Sequence, residues 1–362
     1  MAERLKDMFF TQSSMETFAD TIQEFYPEFD KKKFIQIVFD EAFADKEVKD
    51  KMRHTTQCLK KTLPESYREA LAILKEAAPH AKGFEALSLP DYVATYGMEE
   101  WDLSLPALYH FTKYSTSELA IRPFLAKDPD KVMALMTEWA EDKDPKVRRF
   151  ASEGCRPRLP WAMALPKFKK DPSPILPVLE KLKNDESEDV RRSVANNLND
   201  ISKDNHEVVL KICESWHGQS KNTDKIVKHA CRTMLKAGDK RALMIFGYSD
   251  PFTMCVEDFK LEKTKIKIGE NVRFSFDLAL KEKSRVRLEY AISYVKAKGQ
   301  LSKKVFKITE NDYVPGTITI SRKHSLADMS TRKHYPGIHH LSIIVNGVEM
   351  GKVSFELEAQ KT

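Results

Sequence analysis

Two hydrophobic rhythms divide the chain. Up to about residue 250, apolar residues recur at spacings of three and four, as in FIQIVFDEAFADKEVKDKMRHTTQCL and SYREALAILKEAA. That spacing collects apolar side chains on one side of a helix. After residue 255 the period falls to two. NVRFSFDLAL, RVRLEYAISYV, KVFKITE, TITISRK, HHLSIIVNG and KVSFELEA alternate apolar with polar residues between turn segments. With VEDFKLEK before them, they predict about seven strands over roughly 105 residues, the size of an immunoglobulin-like sandwich. GYSDP, at 247–251, breaks the helical pattern, so the domains are read as 1–250 and 251–362.

The helical part repeats itself. DPKVRRFASEGC (144–155), SEDVRRSVANNL (187–198) and TDKIVKHACRTML (223–235) align on Val147, Val190 and Val227. Intervals of this length suit HEAT-type helix pairs. Such pairs cannot bury their apolar stripe alone, so they stack into a solenoid with a concave face. The fold class is therefore mainly α: a HEAT-like-repeat solenoid followed by an all-β sandwich. Asp144-Pro145 starts the first of these helices, and Ser187 or Asp189 can cap the second.

At 100° per residue, Val147, Phe150, Ala151 and Gly154 form the packing stripe. Arg149, Glu153 and Arg156 fall together on the opposite side, and Arg192, Asn196 and Asn199 take their places in the next repeat. These six are expected to point away from the core, with the arginines lining the concave surface. Asn197, in the place of Gly154, is expected to be partly buried and to tie down a neighbouring backbone. Guanidinium forks suit phosphates, but Arg148, Arg149, Arg191 and Arg192 also suit packing and ion pairs between helices.

Charge sharpens this picture. Residues 1–142 carry 18 Lys and Arg against 26 Asp and Glu, whereas 143–250 carry 22 against 15 and 251–362 carry 20 against 13. The basic excess lies in the last two thirds, as for a chain that grips a polyanion there. Five cysteines without a C-x-x-C pair argue against a disulfide framework or a zinc site, and the histidines show no ligand spacing. Neither cofactor nor metal is expected. The start lacks a signal-peptide core and no apolar run approaches the ~20 residues of a membrane span, so a cytoplasmic protein is expected.

The segments STSELAIRPFL (115–125), VRRFASEGCRPRLPWA (147–162) and VRRSVANNLNDISKD (190–204) resemble those of the DNA alkylation repair glycosylases built from HEAT-like repeats, of the AlkC type. The resemblance covers the whole chain, because some members append an immunoglobulin-like domain. It implies a monofunctional glycosylase, acting as a monomer on double-stranded DNA. Its substrates would be alkylated bases such as 3-methyladenine and 3-methylcytosine, without full extrusion of the lesion into a deep pocket. Bent DNA is a further expectation.

The chemistry asks for little. A base alkylated on a ring nitrogen is cationic and leaves C1′ without being protonated. Negative charge near C1′ and a positioned water are what help. Glu153 can supply both; its plainer alternative is an ion pair with Arg149. Ser115-x-x-Glu118 spells a capping box, while the resemblance makes Glu118 a second site carboxylate. Trp161, after Pro157 and Pro160, can stack on the lesion or pack on the next repeat. Arg156 and Arg158 are expected to reach phosphates, and the basic segment SRKHSLADMSTRKHYPG (321–337) to reach a groove. Two alternatives remain open at this stage: a HEAT scaffold for a protein partner, and a DNA-binding relative without catalysis.

Overall fold

The structure is a computed structural model that describes residues 8–328 and 333–359. Residues 329–332 of the basic segment 321–337 lie outside the described residues. The helical part runs α1 (Gln12–Phe25), α2 (Lys31–Val38), α3 (Val48–Thr62), α4 (Tyr67–Ala77), α5 (Ser88–Tyr96), α6 (Trp101–Thr112), α7 (Arg122–Lys127) and α8 (Pro129–Trp139). It continues with α9 (Pro145–Gly154), α10 (Pro166–Lys170), α11 (Leu176–Leu182), α12 (Glu188–Ile201), α13 (His206–Trp216) and α14 (Lys221–Ala230), then α15 (Arg232–Ala237) and α16 (Lys240–Ile245).

The repeat seen in the sequence is a physical stack. Helix α9 packs on α12, and α12 on α14. Val147, Phe150 and Ala151 of α9 and Val190 and Val194 of α12 are buried, each large apolar side chain stabilising by roughly 1.5–3 kcal/mol. Asp144 caps α9 by accepting from the Lys146 N–H at 2.9 Å, with Pro145 in the first turn. Ser187 occupies the N-cap of α12 without a side-chain capping bond; its own N–H donates to Asp185 Oδ1 at 2.8 Å.

The first arginine of each V-R-R motif fastens a repeat to the turn before it. Arg148 Nη1 donates to the carbonyls of Asp142 and Lys143, six and five residues back. Arg191 Nη1 donates to Asp185 and Glu186 at the same offsets. Arg148 also holds Asp185 through both carboxylate oxygens, at 2.6 and 3.0 Å. Asn197 is fully buried and donates to the Ser152 carbonyl at 2.8 Å, tying α12 to the last turn of α9.

The second part is a sandwich of two sheets. Its strands are β1 (Met254–Leu261), β2 (Lys265–Lys267), β3 (Asn271–Leu280), β4 (Ser284–Val295), β5 (Leu301–Tyr313), β6 (Gly316–Ser325), β7 (Gly337–Val345) and β8 (Val348–Glu358). One sheet has the order β1-β3-β6 and the other β2-β8-β7-β4-β5. The short β2, too brief to show alternation, was missing from the seven expected strands; it pairs in parallel with β8. Along β3 every second residue from Val272 to Leu280 is buried, the period of two read as one face on a core. Among the described residues, no helix is long and apolar enough to cross a membrane.

The change of rhythm near residue 250 and the division of the packing fall at different places. The chain forms two compact units that meet at Ala230 and Cys231, so α15 and α16 group with the sandwich. Their attachment is a close backbone approach. The Asn346-Gly347 turn between β7 and β8 has both residues at positive φ, 45° and 81°, as a two-residue hairpin requires. Gly347 lies against Gly238, the residue that ends α15 at φ 75°. A Cβ on Gly238 would sit 2.5 Å from the Gly347 carbonyl oxygen, and one on Gly347 only 2.3 Å from Gly238 Cα. Asn346 Nδ2 donates to the carbonyls of Ser249 at 2.7 Å and Arg285 at 3.1 Å. Gly347→Ala is expected to destabilise the second unit by about 1–3 kcal/mol, since the left-handed backbone and the contact are both compromised. Thermal or urea unfolding of the variant checks this.

Candidate functional site

Three neighbouring pieces of chain supply the site: the turn before α7, the end of α9 with the loop after it, and the middle of α12. Glu118 lies in the turn 118–121, ahead of α7. The capping box expected from Ser115 and Glu118 is absent, because no helix begins there for it to cap. The Glu118 side chain is 12% exposed and turns to Arg149, whose Nη1 and Nη2 lie 3.3 and 3.4 Å from Oε1. Glu118 Oε2 is buried without a hydrogen-bond partner among the described residues. Burial pushes this carboxyl above its ordinary range; Arg149 opposes the shift and Glu153 adds to it.

Glu153 stands at the centre. Its Oε1 accepts from Arg156 Nη1 at 2.6 Å and lies 3.8 Å from Arg149 Nη2. Its Oε2 accepts from the Ser193 hydroxyl of α12 at 2.6 Å, and Ser152 Oγ lies 3.0 Å from the same hydroxyl. Arg156 continues the chain of contacts, with Nε and Nη2 each 2.9 Å from Asp200 Oδ2. Lys203 closes it at Asp200 Oδ1, 3.1 Å away. The result is a line of alternating charge: Glu118, Arg149, Glu153, Arg156, Asp200, Lys203. Burial disfavours the Arg156 charge, but Glu153 and Asp200 outweigh it and raise the guanidinium's pKa.

This geometry corrects the helical-wheel placement. Glu153, Arg156 and Asn199 do not point into solvent; each is at most 7% exposed. The wheel treats one unbroken helix alone, whereas α9 ends at Gly154 and α12 meets Glu153 and Arg156 through Ser193 and Asp200. Arg156 is directed at two carboxylates. Asn199 donates to the Ala230 carbonyl at 2.8 Å, a link between α12 and the end of α14. Asn196 Oδ1 meets His229 Nε2 at 2.9 Å. Arg158 is engaged by Asp204 at 2.7 and 3.1 Å. Arg192 remains well exposed, in an ion pair with Asp189 at 2.5 Å.

Trp161 is placed differently from a packed tryptophan. It is 54% exposed, so the alternative of packing on the next repeat does not hold. Its φ is +65°, a conformation that costs a bulky residue about 1–3 kcal/mol and persists only where the surroundings impose it. The residues that sequence reasoning missed are buried partners. Asp200 and Ser193 lie within the quoted V-R-R-S-V-A-N-N-L-N-D stretch, yet neither stands at a position matched to the first repeat's charged face. Arg122 lies four residues after Glu118 in STSELAIR, and is fully buried. Cys155, also buried beside this cluster, has its thiol pushed up to about 12 by burial and is unsuited to nucleophilic work.

A profile of the family described as "DNA alkylation repair enzyme" matches residues 46–236. A second, described as the C-terminal Ig-like domain of uncharacterised protein YhaZ, matches residues 255–359. The Bacillus subtilis (strain 168) protein YhaZ is 47% identical over 337 residues, covering 93% of this chain and 94% of that one. The solved structure of Pseudomonas fluorescens alkylpurine DNA glycosylase AlkC, bound to DNA containing an abasic site analog, is 36% identical. It superposes with a TM-score of 0.94, covering 99% of this chain and 100% of that chain. The chain belongs to the DNA alkylation repair enzyme family, and within it to the AlkC-type, HEAT-like-repeat branch.

Proposed function

We propose that this protein excises cationic alkylated bases, 3-methyladenine and 3-methylcytosine among them, from double-stranded DNA by hydrolysis of the N-glycosidic bond. The coarser statement follows from its family: it is a DNA alkylation repair glycosylase. The observation that carries the finer reading is the pair of carboxylates, Glu118 and Glu153, bridged by the single Arg149 guanidinium, with the exposed Trp161 on the loop that follows.

The reaction suits such a site. Heterolysis of the C1′–N bond sends its electron pair to the base, which leaves neutral. C1′ becomes oxocarbenium-like and takes the oxygen of a water molecule, whose proton passes to a carboxylate. Glu153 is assigned both the electrostatic stabilisation and the proton, and Glu118 the second negative charge. A carboxylate offers about four acceptor positions, so the bonds from Arg156 and Ser193 leave capacity for a water. Trp161 is assigned to the lesion nucleotide, where an indole face favours a cation by about 0.5–2 kcal/mol.

Phosphates fit best further along the repeats. A cavity of about 130 Å³ between α12 and α14 is lined by Arg191, Arg192, Lys225 and His229, with Glu188. The Arg192–Asp189 pair is solvent-exposed, and such pairs contribute little to stability. Arg192 can therefore exchange its partner for a phosphate. Arg156, Arg158 and Asn199 are better read as holding the site together than as gripping DNA.

The experiment is incubation of the purified protein with methylated duplex DNA and chromatographic identification of the freed bases. Release of 3-methyladenine and 3-methylcytosine is expected; absence of any free base would falsify the reading. Glu153→Gln is expected to slow single-turnover release by about 10²–10³-fold while binding to abasic-site DNA persists. Glu118→Gln is expected to trade activity for stability. Because the folded-state pKa of Glu118 is raised, the unfolded chain ionises first as pH rises, and wild-type stability falls over that window. At neutral pH the variant should be more stable than wild type, and the difference should shrink below the ordinary carboxylate range. Chemical denaturation at pH 4 and pH 7 measures both.

A further inference from the structure

We propose that Arg122 is the positioning residue that holds the Trp161 loop in its working shape, an assignment that rests on the glycosylase reading above. Arg122 opens α7 and is fully buried. The hydrogen-bond partners of its Nε and Nη1 are carbonyl oxygens. Nε donates to Met163 at 2.6 Å, and Nη1 donates to Gly154 at 2.9 Å and to Arg156 at 2.8 Å. These three carbonyls mark the last residue of α9, the second residue after it, and the far side of the loop. One planar guanidinium thus fixes both ends of the segment that carries Arg156, Arg158 and Trp161.

The loop needs such a clamp. Pro157 and Pro160 provide no N–H. Within the loop the backbone bonds are Ala162 N–H to Leu159 at 3.3 Å and Leu165 N–H to Pro157 at 3.2 Å. Trp161 meanwhile holds an unfavourable backbone conformation and exposes its ring. A helix end leaves carbonyls without intrahelical partners, and a buried cation there also meets the negative end of the helix dipole. Burial without an ion-paired carboxylate among the described residues has a cost: the guanidinium's pKa is pushed down to about 10. Such a group is hard to explain as simple packing, since an apolar side chain of similar volume avoids that cost.

The same turn presents Glu118 four residues earlier, in contact with Arg149. The segment 118–122 therefore couples two parts of the site. Its carboxylate faces the charged line, and its guanidinium sets the tryptophan loop. Arg122 acts through these neighbours and touches no reacting atom.

The test is a double-mutant cycle on the full chain, using Arg122→Lys, Trp161→Ala and both together. Single-turnover release of 3-methyladenine from methylated duplex DNA is measured per folded protein, alongside the melting temperature. A lysine cannot span three carbonyls, so Arg122→Lys is expected to slow release about 10- to 100-fold. Trp161→Ala should then cost little more in the Lys background than the Lys change alone. A wild-type rate in Arg122→Lys, or strictly multiplicative effects in the double variant, overturns the assignment while wild-type activity keeps the glycosylase reading. A lowered melting temperature with an unchanged rate also overturns it, because that is a purely structural role. Absence of activity in the wild type overturns both. If Arg122→Lys does not fold, Arg122→Gln replaces it under the same criteria.

Discussion

The line of alternating charge from Glu118 through Arg149, Glu153 and Arg156 to Asp200 is the constraint on which the site depends. Three segments far apart in sequence each contribute members. Each carboxylate of that line lies beside a guanidinium, and each charge offsets part of what its neighbour loses in hydration. Breaking a buried pair by removing one partner typically costs about 3–5 kcal/mol. The arrangement thus ties the stability of the α9–α12 contact to the presence of negative charge where the proposed chemistry needs it.

That charge is not evenly satisfied. Glu153 has bonds on both oxygens, whereas Glu118 keeps one buried oxygen without a partner among the described residues and a raised pKa. Unsatisfied polar atoms inside folded proteins are uncommon, and each calls for a physical explanation. A cationic base or sugar close to these carboxylates would supply the missing positive charge. This matches a substrate whose leaving group already carries charge and so needs no acid from the protein.

The rest of the fold serves placement. Arg148 and Arg191 stitch each repeat to the turn before it by the same pair of carbonyl contacts, so the second arginine of each motif is left for other partners. In α9 that second arginine meets carboxylates of the site; in α12 it meets Asp189 and the lined cavity. The same local sequence therefore serves two chemistries according to what the neighbouring segment brings.

Periodicity alone determined much here. The shift from a period near four to a period of two separates helices from sandwich, because buried faces impose those spacings. The repeat of V-R-R and the helix start at Asp144-Pro145 are likewise local, and both are found where local rules place them. What lay beyond reach depends on contacts between segments. A helical wheel assigns Glu153, Arg156 and Asn199 to solvent, but α12 and α14 lie over them. Arg122 reads as an ordinary basic residue, and only the approach of three carbonyls from a segment more than thirty residues away reveals its task. Sequence patterns record which face of an element is apolar; they do not record which polar groups a neighbouring element will bury, because that is decided when the helices stack.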